Sequence, residues 1–446
     1  MEAWCPMKKI HLSPLIIIAL SFLGIIIIGT LLLKLPFAIK EDVTLPWIDA
    51  LFTSASAVCV TGLSTIPDIG ATFSIFGKIT IAILIHIGGI GIVTIAMYVL
   101  MLLGIKIGVM ERYVLKEAMN QPSIQGMIKL VKKIIITSFA IELIGLIMNF
   151  IVFIQDYSFV QALGISAFHT VSSFNNAGFD IIGSTSLSAY SNNVLLNIST
   201  MLMIISGGIG FIVIFDIAKK RKWQDLTIYT RIVIKVSAFL IILGTLLIKL
   251  TNYDSITWLQ AIFQSVTTRT AGFSTVNIGS LSIPSLAMIM GFMFIGASPN
   301  STGGGIKTTT FYTMFFSTFN FLKGKPTIIN KKRIDDETRL KAFTLAGLAV
   351  TVIFIVFIIL SILESKNTSI ENKFTELLFE TMSAFGTVGL SMGITSTLTN
   401  GSKALIIILM FIGRLGPITI FGIFNKNWGH PNVSSVEYSP AKILIG

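Results

Sequence analysis

The chain has 446 residues, of which 53% are hydrophobic and only 12% are charged. Soluble domains carry about 25% charged residues, so this chain has too few charges to cover a water-facing surface. The composition therefore indicates a protein that crosses a membrane several times. The net charge of +12 raises nucleic-acid binding as an alternative, and the two cysteines predict no disulfide framework.

Seven apolar segments are close to or longer than the roughly 20 residues that cross a bilayer core. The first follows Ser13 and Pro14, a favourable N-cap and first-turn pair. An eighth span is predicted as two short halves, 283–295 and 308–322, on either side of a glycine-rich loop. The seven continuous segments are 14–33, 79–103, 134–154, 194–215, 232–250, 342–363 and 404–424.

The basic residues lie in alternate loops. Segments 104–133, 219–231 and 323–341 are rich in Lys and Arg, whereas 155–195 contains neither. The positive-inside rule then places the basic loops and both termini in the cytoplasm. Membrane orientation therefore explains the positive charge, and we expect no nucleic-acid binding.

A short apolar stretch followed by a glycine turn occurs four times. Each stretch has about 10 to 14 residues, which is too short to span and suits a re-entrant helix. The turns are "CVTGLS" at 59–64, "NNAGFD" at 175–180, "RTAGFS" at 269–274 and "GTVGLS" at 386–391. Their shared glycines are Gly62, Gly178, Gly272 and Gly389.

These repeats predict an all-α polytopic membrane protein. We expect four fused helix–pore-loop–helix (M1-P-M2) repeats with pseudo-fourfold symmetry and eight transmembrane segments. The predicted units are 1–104, 105–222, 223–330 with a broken M2 helix and an intramembrane loop at 296–310, and 331–446 with a C-terminal tail. In the other units we expect the M2 helix to run on unbroken.

A second motif supports the same division of the chain. It reads "GGIG" at 88–91, "GGIG" at 207–210, "GGIK" at 304–307 and "GRLG" at 413–416. In the first two copies, which lie inside apolar helices, we expect the glycines to allow close helix packing.

Such turns can replace the water shell of a cation with backbone carbonyl groups. Glycine permits the left-handed backbone that this needs, and pore helices would direct their negative C-terminal dipole ends at the ion. Besides the four glycines, the predicted filter backbone comprises Cys59, Val60, Thr61, Asn175, Asn176, Ala177, Arg269, Thr270, Ala271, Gly386, Thr387 and Val388. The predicted ligands of this cation are the carbonyls of Val60, Thr61, Asn176, Ala177, Thr270, Ala271, Thr387 and Val388.

The stretch "TVGL" at 387–390 looks like a shortened TVGYG filter. With four fused units and the loop "STGGGIKTTT", the chain resembles the Trk/Ktr/HKT superfamily of potassium transporters, and within it the bacterial KtrB-like membrane subunits. The resemblance implies channel-like K⁺ uptake across the bacterial cell membrane, with the four shared glycines in the filter. In plant relatives a serine at the first of these positions accompanies Na⁺ permeation, so the resemblance implies that Gly62 favours K⁺ over Na⁺.

The resemblance also implies partners. It predicts a homodimer in membrane lipid, seated on a cytosolic nucleotide-binding regulatory ring of the RCK type. The chain has no G-x-G-x-x-G after a strand, so any nucleotide site belongs to that ring. We expect no bound cofactor; K⁺ is the substrate, and Na⁺ is a candidate coupling ion for symport.

The loop at 296–310 is interpreted as a gate. Its small polar residues allow unwound backbone where water reaches it. The predicted gate comprises Ala297, Ser298, Pro299, Asn300, Ser301, Thr302, Gly303, Gly304, Gly305, Lys307 and Arg414. Lys307 either reaches towards the inner leaflet or tethers the loop.

A charge such as Arg414 at membrane depth costs at least about 2.5 kcal/mol. We therefore interpret Arg414 as a cationic plug below the filter. The alternative is an ion pair with a carboxylate such as Glu142 or Glu380.

Five other polar residues receive structural interpretations. Glu142 is a candidate packing partner between helices, and Arg269 a brace behind its turn. Asp180 either concentrates cations at the pore mouth or is an ordinary loop carboxylate. His86 and His169 are expected to pack or form hydrogen bonds rather than bind metal.

Two other functions remain as alternatives. Broken helices also occur in alternating-access transporters, although those usually show two inverted repeats. An intramembrane enzyme is the remote alternative, because no Ser/His/Asp set is present and Ile306 interrupts the G-K pair of a phosphate loop.

Overall fold

The computed structural model describes residues 13–41, 43–121, 123–329 and 332–424, almost all of them in helices or short turns. Predictions for the two termini fall outside these residues. The first predicted unit contains α1 (Pro14–Leu33), α2 (Trp47–Cys59), α3 (Ile69–Thr72), α4 (Ile75–Ile90) and α5 (Ile92–Leu102). The second contains α6 (Val109–Ala118), α7 (Met127–Phe153), α8 (Phe159–Phe174), α9 (Val194–Gly208) and α10 (Phe211–Lys220).

The second half of the chain is also helical. The third unit contains α11 (Ile228–Thr251), α12 (Trp258–Thr267), α13 (Ile283–Phe294) and α14 (Thr308–Leu322). The fourth contains α15 (Asp336–Leu363), α16 (Lys373–Gly386), α17 (Asn400–Leu415) and α18 (Pro417–Phe424). Strands β1 (Ile328–Ile329) and β2 (Lys332–Arg333) form a short antiparallel pair between α14 and α15.

Several helices have the length and composition of membrane spans. Helices α1, α7, α11 and α15 qualify singly, and the bent pairs α4/α5 and α9/α10 raise the number to six in the described part of the chain. The protein is therefore a multi-pass membrane protein. The count of eight spans and the fourfold repeat stay predictions.

Local signals explain where the long helices begin. The Ser13 hydroxyl accepts a hydrogen bond from the Ile16 N–H (3.4 Å), and α1 has the predicted bounds. Helix α15 begins earlier than its apolar run at 342, because the Asp335 carboxylate caps the Thr338 N–H (2.9 Å). An apolar run thus marks the part suited to lipid, while the cap marks the start of the helix.

The prediction of unbroken M2 helices outside the third unit is wrong. Helices α4 and α5 meet at 101° and α9 and α10 at 96°, while Gly416 separates α17 from α18. The cause is the last glycine of each motif, which has a positive φ: 99° at Gly91, 91° at Gly210 and 86° at Gly416. That conformation ends the helical hydrogen-bond ladder and is open mainly to glycine.

The first glycine of the same motif allows close packing, as predicted. A Cβ atom on Gly88 would lie 3.0 Å from the Cα of Val58 at the end of α2. One on Gly207 would lie 3.1 Å from the carbonyl carbon of Phe174 at the end of α8. The missing side chains therefore let these helices touch the ends of the short helices.

The helix contacts form a closed cycle. Helix α4 packs on α8, α9 on α12, α13 on α16, and α17 on α2. The last contact contains an ion pair between Lys403 Nζ and Asp49 Oδ1 (2.8 Å), two side chains that are only 9% and 13% exposed. The fourth predicted unit is thus joined to the first.

Candidate functional site

The four turns that follow α2, α8, α12 and α16 share an unusual backbone. The residue two before each glycine has a positive φ: Val60 (56°), Asn176 (58°), Thr270 (85°) and Thr387 (50°). The glycines Gly62, Gly178, Gly272 and Gly389 have φ of 94°, 71°, 80° and 91°. Bulky or β-branched residues rarely adopt positive φ, so the surroundings must impose this backbone.

Hydrogen bonds from behind hold each turn. In the first, the Val60 N–H donates to the Ala57 carbonyl (3.1 Å) and the Thr61 N–H to the Ser56 carbonyl (2.8 Å). The Gly62 N–H donates to the Ser56 hydroxyl (3.1 Å). This is a Schellman-type helix end. In the second and fourth turns, the Ala177 N–H donates to the Ser172 carbonyl (2.8 Å) and the Val388 N–H to the Ser383 carbonyl (2.9 Å). In the third turn, the Ala271 N–H donates to the Thr267 carbonyl (2.9 Å), four residues back instead of five.

The carbonyl groups of the turns are left without protein partners. Among the described residues, none donates a hydrogen bond to the carbonyls of 60–62, 176–178, 270–272 or 387–389. The eight predicted ligand residues are fully buried: Val60, Thr61, Asn176, Ala177, Thr270, Ala271, Thr387 and Val388. Buried carbonyls are normally paired, so this concentration of free acceptors marks a site for a positive ligand.

The four glycines form a ring. A Cβ on Gly62 would lie 3.1 Å from the Cα of Gly178, and one on Gly178 would lie 2.9 Å from that of Gly272. The corresponding distances are 3.1 Å from Gly272 to Gly389 and 3.0 Å from Gly389 back to Gly62. Each such Cβ would also collide with the carbonyl oxygen just before the next glycine: Ala177, Ala271, Val388 or Thr61. No other residue fits in this ring without moving a carbonyl group.

The loop between α13 and α14, here called the intramembrane loop (296–307), folds back on itself. Ile295 and Ile306 form a β-bridge. The Ala297 N–H donates to the Gly304 carbonyl (3.3 Å), and the Thr308 N–H donates to the Ala297 carbonyl (3.3 Å). These bonds bring the end of α13 and the start of α14 together. The residues between the paired segments, 298–303, therefore project away from the two helix ends.

The projecting part lies against the ring. The Gly304 N–H donates to the Thr387 hydroxyl (3.0 Å). The Thr302 hydroxyl donates to the Phe174 carbonyl (3.3 Å) at the end of α8, and a Cβ on Gly303 would collide with the Thr270 side chain. The intramembrane loop therefore touches the third and fourth turns and the end of α8, which precedes the second turn.

The break between α9 and α10 holds the intramembrane loop from one side. The Ser298 N–H donates to the Gly208 carbonyl (3.0 Å), and the Thr302 N–H donates to the Gly207 carbonyl (3.2 Å). In the other direction, the Phe211 N–H donates to the Asn300 carbonyl (3.0 Å). Backbone groups freed by the bend thus become partners of the loop.

Arg414 holds the intramembrane loop from another side. Its Nη1 donates to the Thr302 carbonyl, and its Nη2 donates to the carbonyls of Gly88 and Gly89 at the end of α4. Within the described ranges, no carboxylate lies within ion-pair distance of Arg414. The alternative ion pair with Glu142 or Glu380 is therefore wrong.

The two carboxylates have other partners. Glu142 Oε1 lies 3.2 Å from His86 Nδ1 and accepts a hydrogen bond from the Asn175 amide (3.2 Å). It thus joins α4, α7 and the second turn, as a packing partner should. Fully buried Glu380 accepts from the Thr395 hydroxyl behind the fourth turn.

The remaining candidates also have defined contacts. Lys307 Nζ donates to the Gly303 carbonyl (2.6 Å), which matches the tether interpretation. Arg269 donates to the Ser237 hydroxyl (3.1 Å) on α11, so its side chain braces the third turn from behind. His169 bonds Thr200 (2.9 Å), and Asp180 accepts from the Ile182 N–H (3.4 Å) in its own loop.

Sequence reasoning missed the partners of the intramembrane loop. It assigned no role to the carbonyls of Gly207 and Gly208, to the Phe211 N–H, or to Tyr229, whose hydroxyl donates to the Pro299 carbonyl (2.8 Å). The repeated last glycine of the "GGIG" motif could have revealed the bend. Nothing in the sequence around Tyr229 signals its contact.

Comparisons with known proteins identify the family. The sequence profile of the TrkH family, described as a cation transport protein, matches residues 14–435. The chain belongs to the TrkH family. It is therefore a membrane transport protein and not an enzyme.

Relatives of the same length support this membership. The chain is 37% identical to the Ktr system potassium uptake protein B of Bacillus subtilis, over 98% of each chain. It is also 37% identical to the potassium/sodium uptake protein NtpJ of Enterococcus hirae, again over 98% of each. The fold is similar to the crystal structure of the potassium transporter TrkH from Vibrio parahaemolyticus, with a TM-score of 0.74 at 17% identity, covering 95% of this chain and 87% of the other.

Proposed function

We propose that this chain is the K⁺-selective, channel-like translocating subunit of a potassium uptake system. The observation that carries the proposal is the ring of four glycine turns, whose buried carbonyl groups accept no hydrogen bond from the described part of the chain. The printed functions of the relatives, potassium uptake and potassium/sodium uptake, agree with it.

The turns act as a selectivity filter. Four successive turns offer stacked rings of carbonyl oxygens that replace the water of a dehydrated K⁺. The hydrogen bonds behind each turn fix the direction of these carbonyls, and the C-terminal ends of α2, α8, α12 and α16 add negative dipole potential. Backbone groups therefore select the ion. This explains why the residue directly before each glycine varies among Thr, Ala and Val.

The intramembrane loop acts as the gate. It lies against the third and fourth turns and the end of α8, and it is held by Thr387, the α9/α10 break and Arg414. Passage of an ion from the ring then requires movement of the loop. The Arg414 charge adds electrostatic repulsion of cations beneath the ring.

Control of the gate is assigned to a cytosolic partner. Two relatives are named as potassium uptake proteins of Ktr systems, and these names and the basic loops agree with a homodimer resting on a nucleotide-binding regulatory ring of the RCK type. Both termini then face the cytoplasm. Na⁺ is the candidate coupling ion, in line with the name of the Enterococcus hirae relative.

Replacement of Gly62 by serine tests the filter. The new Cβ collides with the Ala177 carbonyl, and φ of 94° strains any residue with a side chain. We expect Gly62→Ser to reduce the K⁺ over Na⁺ preference of uptake by about tenfold or more, equivalent to about 1.4 kcal/mol. The measurement is competitive K⁺, Rb⁺ and Na⁺ uptake in cells that lack other potassium transporters.

Gly164→Ser is the matched control. Gly164 lies on the short helix α8, and a Cβ there meets nothing within 4 Å. It should leave the ion preference unchanged. Unaltered selectivity in Gly62→Ser, with normal amounts of protein in the membrane, would contradict the filter assignment.

A further inference from the structure

Tyr229 links the cytosolic end of a long helix to the intramembrane loop. It lies in the first turn of α11, half-buried, and its hydroxyl donates to the Pro299 carbonyl (2.8 Å). The same carbonyl oxygen would lie 2.6 Å from a Cβ on Gly210, so it occupies the notch that the missing side chain leaves. The outermost part of the loop is therefore held between the α9/α10 break and α11.

We propose that Tyr229 is a positioning residue that holds the intramembrane loop in its blocking position. A cytosolic partner then releases the loop by displacing the turn between α10 and α11. The inference rests on the gating role proposed above for the loop. It adds a specific regulatory connection and a surface on which regulation acts.

The turn between α10 and α11 is rigid because hydrogen bonds join the two helices on either side of it. Asp216 on α10 accepts hydrogen bonds from the Thr227 N–H (2.8 Å) and hydroxyl (2.9 Å) and pairs with Lys220 (2.9 Å). Thr227 in turn caps α11 by accepting from the Thr230 N–H (3.2 Å). A displacement of the turn must therefore move the start of α11, where Tyr229 lies.

The same turn reaches the loop by a second connection. Helix α10 begins at Phe211, whose N–H donates to the Asn300 carbonyl (3.0 Å). Tyr229 and Phe211 thus hold two adjacent residues of the loop from the two helices that the turn joins. Motion of the turn pulls on both.

The chemistry of the turn fits an acidic partner surface. Lys219, Arg221 and Lys222 are exposed on it, and Asp225 is the one exposed acidic residue between α10 and α11. Neighbouring positive charges favour a partner that presents carboxylates. A protein that engaged this turn would act on α10 and α11 without entering the membrane.

Tyr229→Phe removes only the hydroxyl, so it tests whether the hydrogen bond to the Pro299 carbonyl holds the loop. A typical protein hydrogen bond shifts an equilibrium by about two- to tenfold. We therefore expect Rb⁺ uptake without the regulatory partner to rise by about that factor, while uptake with the partner and the K⁺ over Na⁺ preference stay unchanged. The assay is Rb⁺ uptake by the full-length protein in transport-deficient cells, with and without the partner.

Tyr312→Phe is the matched control. Tyr312 lies on α14 near the loop, and its hydroxyl has no hydrogen-bond partner within the part of the chain that the structure describes. Asp216→Asn is a second variant, because it weakens the clamp without touching the loop. It should raise basal uptake in the same direction and carries the test if Tyr229→Phe fails to reach the membrane.

The outcomes separate this inference from the proposed function. Basal uptake in Tyr229→Phe equal to that in Tyr312→Phe would overturn the positioning role, even if Gly62→Ser loses selectivity as expected. Loss of uptake with and without the partner, at normal membrane levels, would also overturn it, since the hydroxyl would then serve conduction. Unchanged selectivity in Gly62→Ser would instead remove the filter assignment.

Discussion

Arg414 shows how a single residue can combine a charge with a mechanical contact. Its guanidinium reaches the intramembrane loop at Thr302 and the end of α4 at Gly88 and Gly89. A planar guanidinium has donors pointing in several directions, so it can bridge carbonyls on two different elements. Arg414 therefore ties the loop to α4, and in the proposed mechanism it also places a positive charge under the ring.

Arg414→Lys separates these two effects. A lysine keeps the charge but cannot reproduce the fork of donors, so we expect its partner-independent Rb⁺ uptake to rise almost as much as that of Arg414→Ala. Arg112→Lys is the control, because Arg112 donates to the Ile107 carbonyl (3.2 Å) next to α6, away from both the loop and the α10–α11 turn. If the lysine variant keeps wild-type basal uptake while the alanine variant does not, the charge alone closes the pore.

At the scale of elements, the bend between α9 and α10 supplies backbone groups that hold the intramembrane loop. Helix α9 ends at Gly208, and the last carbonyls of a helix have no partner within it. The intramembrane loop satisfies two of them, at Gly207 and Gly208, and accepts a bond from Phe211 at the start of α10. The bend and the loop are therefore one structural unit.

Gly210→Ala tests this unit. At Gly210 the φ of 91° strains an alanine, and the new Cβ would contact the Pro299 carbonyl. We expect basal uptake to rise because the loop is displaced. Gly324→Ala is the control, since φ there is 63° but a Cβ meets nothing within 4 Å. Both variants lose about 1–2 kcal/mol of stability from backbone strain, and equal basal uptake in the two would contradict a link between bend and gate.

The sequence revealed the turns because the constraint on each of them is met by a single residue, a glycine. A backbone with positive φ and a neighbouring carbonyl in the place of a side chain admits only glycine, so Gly62, Gly178, Gly272 and Gly389 recur visibly. The start of α1 was predictable for a similar reason, since Ser13 and Pro14 act within one helical turn.

The bends and the gate contacts escaped prediction because they depend on distant segments. Gly91 and Gly210 sit inside apolar runs, where a glycine is compatible with a straight helix. The partners of Arg414 and Tyr229 are backbone carbonyls, which leave no signature in the sequence. The positions of Glu142 and His86 were anticipated only as general packing, without the bond to Asn175 beside the second turn.

At the scale of the whole molecule, the cycle of contacts brings four distant turns to one axis. Helix α17 packs on α2, and the buried pair of Lys403 and Asp49 joins the last unit to the first. Breaking a buried ion pair typically costs about 3–5 kcal/mol, so this contact is well suited to keep the ring closed. In the proposed function, a closed ring allows carbonyls from four parts of the chain to face one ion.

The most direct test of the filter is to locate an ion in it. We predict that crystals of the purified protein soaked in Rb⁺ or Tl⁺ show anomalous density on the axis of the ring, within coordination distance of the carbonyls of Thr61, Ala177, Ala271 and Val388. Gly62→Ser should weaken or displace that density. Density found only outside the ring, in crystals that bind the ion, would contradict the account.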